Sequence, residues 1–215
     1  MKNELKKRIL SSIFLIPIVF FIIIKGSYFF YLLLLISFII ASYEWHILSK
    51  HKSFYNLGFL FLLFSFYSMF QIRIENNSYN QLLIVLLICI FTDIGGYVFG
   101  KVFKGPKLIS FSPNKTISGM IGSYILSVCL IPVLIFFNMI DNTNITLFFI
   151  YVILISTVSQ FGDIIISYFK RRSNFKDTGK IIPGHGGLLD RIDGMIFAFP
   201  FAYLIMLNNL FDKIK

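Results

Sequence analysis

Long apolar runs recur along almost the whole chain, and they constrain the fold more than any other feature. Crossing the ~30 Å hydrocarbon core of a bilayer takes about 20 helical residues. With 57% hydrophobic and only 14% charged residues, the composition is not that of a soluble domain. We therefore predict an all-α, polytopic membrane bundle that forms a single domain over residues 1–215. About seven transmembrane helices are expected, at 9–24, 28–48, 54–72, 81–100, 117–138, 145–169 and 194–210.

The distribution of Lys and Arg predicts how this bundle is oriented. Cytoplasmic loops of membrane proteins carry an excess of these residues. Placing the N-terminus in the cytoplasm puts 16 of the 20 basic residues on that side, and the exceptions are Lys25, Arg73, Lys213 and Lys215. We predict a cytoplasmic N-terminus and an external C-terminus. This topology and anionic lipid headgroups account for the net charge of +10, so we expect no nucleic-acid partner.

Three acids, Glu44, Asp93 and Asp163, lie inside apolar runs. On an insertion scale each costs roughly 2.5–3.5 kcal/mol if it faces lipid, so each needs a polar partner or a cavity. Counted from the nearest cytoplasmic basic residue at 1.5 Å per residue, their depths are about 9, 12 and 10 Å. The shared depth predicts one layer of carboxylates around a polar cavity open to the cytoplasm. The alternative is that they form hydrogen bonds between helices and only hold the bundle together.

The sixth run carries a polar stripe that supports such a cavity. Its polar residues recur at steps of three and four, so they lie on one helix face. They are Ser156, Ser159, Gln160, Asp163, Ser167, Lys170 and Arg171.

A polar segment, KRRSNFKDTGKIIPGHGGLLDRIDG at 170–194, precedes the last run. Asp190 and Asp193 are three residues apart and share a face if a helix begins there. Carboxylates beside Lys and Arg suit a hard cation, and Mg²⁺ commonly joins protein carboxylates to substrate phosphates. Acids are also favoured at helix starts without any ligand.

Two loops carry candidate anion-binding groups. In PGHGGLLD, glycines allow backbone N–H groups to approach an anion, and His185 is a candidate proton shuttle or hydrogen-bond donor to phosphate. In SPNKT, residues 112–116, an amine and two hydroxyls lie close together. An ordinary turn is the alternative in both loops.

The stretch from Ser167 to Asp193 resembles the signature region of the phosphatidate cytidylyltransferase, or CDP-diacylglycerol synthase, family. DIGGYVFG (93–100) and FGD (161–163) extend the resemblance. It is close over 85–193, the expected catalytic core, and weak over the helices of 1–80, while 194–215 would be the last helix and tail. Further matched positions are Glu44–Trp45, SPNKT and Gly119, and within the signature Lys170–Arg171, Lys176–Asp177, Gly179, Pro183, His185–Gly187 and Asp190–Arg191.

The resemblance implies transfer of the cytidylyl group of CTP to phosphatidate, giving CDP-diacylglycerol and pyrophosphate for phospholipid biosynthesis. It implies Mg²⁺, leaves open whether a second cation binds, and implies a bacterial inner membrane with a cytoplasmic active site and a homodimer as the candidate assembly. The expected metal ligands are Asp163 and Asp193, helped by Asp190 and Asp93. The groups expected to neutralise the phosphates are Lys115, Lys170, Arg171 and Arg191. The other expected substrate contacts are Ser112, Thr116, Lys176, Asp177, His185, Gly186 and Gly187.

The chain departs from the family pattern at two positions. Ile166 stands where family members usually carry an acid, and Ser118 stands where many have Glu or Gln. If that acid supports metal binding elsewhere in the family, the resemblance implies weaker metal affinity or lower activity here.

Other functions remain open at this stage. One alternative is a CTP-dependent enzyme that acts on another lipid or on a polyprenol, and another is a catalytically silent relative. A transporter of anions or phosphate esters belongs to a different class. Transporters commonly show internal repeats or paired broken helices, whereas here polar residues gather on one side of the membrane. This sided distribution favours an interfacial enzyme.

Overall fold

The computed structural model describes residues 17–75, 79–109, 112–140, 144–179, 181 and 186–208. Residues 17–25 are helical and are labelled α1. The helices that follow are α2 Ser27–Ser49, α3 Tyr55–Glu75, α4 Asn80–Phe103, α5 Ile117–Phe136, α6 Ile145–Arg172, α7 Leu189–Ile192 and α8 Met195–Leu207.

Five of these helices, α2 to α6, are long and apolar enough to cross a membrane. They coincide with the five central apolar runs, so the prediction of an all-α polytopic membrane protein is confirmed at that level. The seventh predicted run differs, because the 13 residues of α8 extend over about 20 Å, less than a hydrocarbon core. Most of the first run, 9–24, lies outside the described residues.

The packing of α4 against α5 depends on small residues. A Cβ atom at Gly95 would collide with the carbonyl of Gly122, and one at Gly119 would lie 2.7 Å from the carbonyl of Gly96. The two backbones therefore touch directly, as is common where membrane helices associate through glycine. This contact fixes the C-terminal half of α4, which carries Asp93, against the N-terminal half of α5.

Apolar side chains fill the bundle and also cover its outside. Ile88, Ile155 and Ala198 are fully buried between helices. In contrast, Leu57 and Leu60 on α3 are 69% and 70% exposed. In water such a surface would be costly, whereas in a bilayer it faces hydrocarbon.

A short β-ribbon connects α4 to α5. Its strands, β1 Lys107–Ile109 and β2 Ser112–Thr116, run antiparallel, with Lys107 opposite Thr116 and Ile109 opposite Ser112. The sequence predicts only a loop in this connection, because strands of three and five residues show too little alternation to be recognised. Because β2 runs directly into α5, it places Lys115 and Thr116 beside the helices.

Candidate active site

A cavity of about 300 Å³ lies at one end of the bundle, between α4, α5, α6 and the start of α7. Its wall combines charged groups with apolar side chains. The lining residues are Thr92, Asp93, Gly96, Tyr97, Leu108, Lys115, Thr116, Gly119, Met120, Ser123, Gln160, Asp163, Ile164, Asp190, Arg191 and Asp193.

Four carboxyl groups face this cavity from separate elements. Asp93 comes from α4, Asp163 from α6, Asp190 from α7, and Asp193 lies between α7 and α8. The pKa of Asp193 lies well above its usual range, because the carboxyl is buried and because Asp163 and Asp93 place like charges beside it. The structure thus brings together the four acids proposed as metal ligands, in a place where additional positive charge would be stabilising.

Lys115 forms an ion pair with Asp163, one of these four acids. Its Nζ lies 2.7 Å from Oδ2 of Asp163, and the two side chains are 21% and 34% exposed. Ser167 donates a hydrogen bond of 3.3 Å to the other oxygen, Oδ1, of Asp163. The Asp163 carboxylate therefore remains partly accessible from the cavity.

Asp190 is held more firmly by the protein. Its Oδ1 lies 2.8 Å from Nζ of Lys170, and its Oδ2 accepts hydrogen bonds from the backbone N–H groups of Thr178 and Gly187. Burial alone would raise the pKa of Asp190, but Lys170 and the two N–H groups hold it below its ordinary value. Asp190 lines the cavity and at the same time fixes the segment that precedes it.

Glu44 does not lie in the cavity, so the expected layer of three membrane carboxylates is not formed. Its residue surface is only 1% exposed. Oε1 accepts a hydrogen bond from the N–H of Leu188, and Oε2 accepts hydrogen bonds from the N–H of Leu189 and the hydroxyl of Thr178. Of the three acids, Glu44 therefore follows the alternative interpretation, in which a buried acid forms hydrogen bonds within the protein instead of facing the cavity. Asp93 and Asp163 reach the same cavity.

The remaining predicted substrate contacts divide into two groups. Lys115, Thr116 and Arg191 line the cavity, and Thr116 also caps α5 by accepting a hydrogen bond from Gly119 N. His185 lies outside the described residues. Lys170 does not line the cavity itself but forms an ion pair with Asp190, which does. The other predicted residues that the structure places outside the lining are Ser112, Arg171, Lys176, Asp177, Gly186 and Gly187.

Two hydroxyl groups that line the cavity, those of Thr92 and Ser123, are not among the residues predicted from the sequence. Thr92 donates a hydrogen bond of 2.9 Å to Ser156, and Ser123 donates one of 2.7 Å to the carbonyl of Thr92. These bonds tie α4, α5 and α6 together at the wall of the cavity. Small polar residues inside apolar runs are the signal that could have identified these hydroxyl groups. Only the run that forms α6 was interpreted in this way.

Comparison with known proteins places this cavity in a family. The model of the cytidylyltransferase family matches residues 50–208, which include every residue that lines the cavity. The chain belongs to the cytidylyltransferase family. The resemblance inferred from the signature region is therefore confirmed. Glu44 lies six residues before the matched range.

Relatives with established names agree with this membership. A protein of Staphylococcus haemolyticus (strain JCSC1435) named phosphatidate cytidylyltransferase is 36% identical over 178 residues, 80% of this chain and 67% of that protein. A protein of the same name from Staphylococcus aureus (strain COL) is 34% identical over 179 residues, 81% of this chain and 68% of the relative. A third, from Staphylococcus saprophyticus subsp. saprophyticus, is 33% identical over 178 residues, with shares of 80% and 67%.

The two departures from the family pattern occupy different surroundings. Ile166 is 3% exposed and belongs to the apolar core, so its side chain does not face the cavity. Ser118 accepts a hydrogen bond of 3.1 Å from Gly105 N and lies 3.0 Å from the hydroxyl of Thr116. In this family member, Ser118 therefore joins the end of α4 to the start of α5.

The charged donors that the cavity offers to a metal ion are carboxylate oxygens. Within the described residues, no three His, Cys, Asp or Glu side chains are grouped closely enough to form a ready-made metal site. Mg²⁺ does not need such a group, because it usually takes one or two protein carboxylates, with water and substrate phosphates as its other ligands. The donor set therefore fits Mg²⁺ that arrives with a nucleotide.

Proposed function

We propose that this chain transfers the cytidylyl group of CTP to phosphatidate, giving CDP-diacylglycerol and pyrophosphate. The observation that carries this proposal is the single cavity in which four carboxyl groups meet Lys115 and Arg191. Membership of the cytidylyltransferase family and the shared name of the relatives support the same reaction.

The reaction replaces one phosphoanhydride bond by another. An oxygen of the phosphatidate phosphate attacks the α-phosphorus of CTP and forms a new P–O bond. The bond from that phosphorus to the bridging oxygen breaks, and pyrophosphate leaves with its electron pair. The attacking phosphate oxygen is already ionised near neutral pH, so no side chain has to remove a proton from it.

Charge neutralisation and positioning are the main tasks left to the protein. Two anionic substrates repel each other, and fixed groups of opposite charge reduce that repulsion without reorganising during the reaction. Lys115 and Arg191 reach the cavity from two different elements, Lys115 from β2 and Arg191 from α7. We assign them to the triphosphate and the lipid phosphate.

Mg²⁺ is the cofactor that the donors fit, and Asp163 and Asp193 are its proposed ligands, with Asp93 beside them. When bound, it supplies positive charge to the phosphates. Asp190 is the weaker candidate of the four acids, because two backbone N–H groups and Lys170 hold its oxygens in place. Both oxygens of Asp163 also have partners, but these are only the side chains of Lys115 and Ser167.

The wall of the cavity also suits an amphiphilic substrate. Leu108, Met120 and Ile164 line it together with the charged groups, and Tyr97 is 67% exposed at its edge. A lipid phosphate could therefore enter among charges while its chains remain against apolar surface. The distribution of basic residues supports a cytoplasmic opening, where CTP is found.

The position of the transferred phosphorus distinguishes this function from its rivals. Purified protein would receive phosphatidate or a polyprenol, with CTP labelled at either the α- or the γ-phosphate. We expect α-label in lipid with phosphatidate and no lipid label from γ-labelled CTP. Transfer of γ-label would identify a CTP-dependent kinase, and α-label on the polyprenol alone would assign another lipid substrate.

A further inference from the structure

Glu44 connects α2 to the signature segment, by which we mean the signature region from Ser167 to Asp193. It contacts this segment at two places, one before and one after residues 182–185. Before them, the hydroxyl of Thr178 donates to Oε2 at 2.9 Å. After them, the N–H groups of Leu188 and Leu189 donate at 2.9 and 2.8 Å. One carboxylate thus gathers three donors from two pieces of the chain that lie more than 130 residues away in sequence.

The backbone of the signature segment passes unusually close to this carboxylate. A Cβ atom at Gly179 would lie 2.6 Å from Oε1 of Glu44, and one at Gly187 would lie 2.6 Å from Oε2. From the sequence, the glycines of this segment are expected to let the backbone approach a substrate anion. For Gly187, the anion approached in the structure is the carboxylate of Glu44.

The segment that Glu44 holds carries the acids of the cavity. Leu189, which donates to Glu44, begins α7, and Asp190 follows it directly. Asp190 in turn accepts hydrogen bonds from the N–H groups of Thr178 and Gly187, so Thr178 donates to both carboxylates, through its N–H to Asp190 and its hydroxyl to Glu44. Asp193 ends α7 one turn later. A change at Glu44 should therefore move Asp190 and Asp193 relative to Asp163 on α6.

We propose that Glu44 is a positioning residue for the reaction: it sets the place of Asp190 and Asp193 in the cavity without touching the substrates. The proposal rests on the cytidylyl transfer proposed above. Residues that orient metal-binding or substrate-binding groups typically change activity or metal affinity by about 10- to 100-fold when they are replaced.

Glu44→Gln tests this with almost no change in volume. In either orientation of the new amide, its NH₂ group faces a backbone N–H group, so Leu188 or Leu189 loses its acceptor. Thr178→Val removes a single donor of the set and should act in the same direction, more weakly. Ser49→Ala is the matched control, because Ser49 is fully buried on the same helix and its hydroxyl donates to the carbonyl of Trp45, away from the segment.

Two measurements are needed on each variant of the full-length protein: turnover of CTP and phosphatidate as Mg²⁺ is titrated, and hydrogen exchange of the amides of residues 186–193. For Glu44→Gln we expect a 10- to 100-fold loss of kcat/KM, a raised half-saturating Mg²⁺ concentration, and faster exchange in this segment. For Ser49→Ala we expect neither change. The double variant of Glu44→Gln and Thr178→Val should lose less than the product of the two single losses, because both act on one contact.

A merely structural role would give a different pattern. In that case Glu44→Gln would lower the yield of folded protein, while the folded fraction kept the wild-type Mg²⁺ dependence and KM, and the positioning role would be rejected. Unchanged exchange at residues 186–193 would also overturn it. If wild-type protein makes no lipid product, the proposed function fails, and the exchange comparison still decides whether Glu44 holds the segment.

Discussion

Two regions of the molecule carry acids that the sequence places at similar depth, but the oxygens of these acids have different surroundings. At the junction of α2 with the signature segment, Glu44 is 1% exposed and its oxygens are satisfied by three protein donors. In the cavity, the side chain of Asp163 is 34% exposed, and Asp93 and Asp193 lie near it. The contrast shows that burial of an acid in a membrane helix does not define its role. What faces its oxygens does.

Asp190 lies between these extremes, because it both lines the cavity and accepts hydrogen bonds from the segment. It therefore links the region that the protein satisfies to the region left for substrates. Variants that affect only one of the two regions can separate catalysis from stability.

Apart from Asp193→Asn, the largest effect is expected from Asp163→Asn, which removes charge from the open region. Turnover should fall by about 10²- to 10³-fold, the range seen when a preorganised charged or hydrogen-bonding group is lost. Thermal stability should be maintained, because relief of the like charge beside Asp193 offsets the loss of the partly exposed ion pair with Lys115. Activity would be measured with phosphatidate and CTP, and melting in the same detergent. Substantial loss of melting temperature with activity retained would reverse the assignment of the two regions.

Glu44→Leu should show the opposite pattern in stability. The variant leaves the N–H groups of Leu188 and Leu189 and the hydroxyl of Thr178 without their acceptor. Unsatisfied buried donors cost about 1–3 kcal/mol each, so the free energy of unfolding should fall by about 2–3 kcal/mol after partial relaxation. Denaturation of the purified protein measures this. A melting temperature equal to that of Asp163→Asn would remove the contrast.

Ile166→Glu tests whether restoring the usual family acid extends the open region. Ile166 is 3% exposed within the apolar core, so we expect a loss of about 1–3 kcal/mol and no gain in Mg²⁺ affinity. Ile166→Leu, which conserves volume, is the control and should cost less than about 1.5 kcal/mol. A stable Ile166→Glu protein with a lower Mg²⁺ requirement would mean that this position reaches the cavity.

Lys115→Met should produce the smallest of these effects. The loss of one charged contact to phosphate corresponds to about 1.5 kcal/mol, or roughly a tenfold fall in kcat/KM, with most of it in the KM for CTP. Lys107→Met is the matched control, because Lys107 belongs to the same ribbon but does not line the cavity. Equal effects of the two variants would indicate a general surface-charge effect.

The sequence was sufficient to predict the five long helices and the family. It did not predict which acids face the cavity and which form hydrogen bonds within the protein. Runs of about 20 apolar residues identify helices because the bilayer sets their length. Depth along a helix placed Asp93 and Asp163 at the same level, and both line the cavity. Depth does not give the direction of a side chain around the helix axis. The partners of Glu44 lie 134 to 145 residues away and are mostly backbone groups, which residue types do not reveal.

The most direct test is the formation of CDP-diacylglycerol from phosphatidate and α-labelled CTP by wild-type protein and Asp193→Asn, each with Mg²⁺ titrated from zero. For wild type we expect chloroform-soluble label that requires both phosphatidate and Mg²⁺. For folded, membrane-inserted Asp193→Asn we expect that label to disappear. Near-normal product from Asp193→Asn, or label that does not depend on Mg²⁺, would contradict the assignment of the cavity acids to metal-assisted cytidylyl transfer.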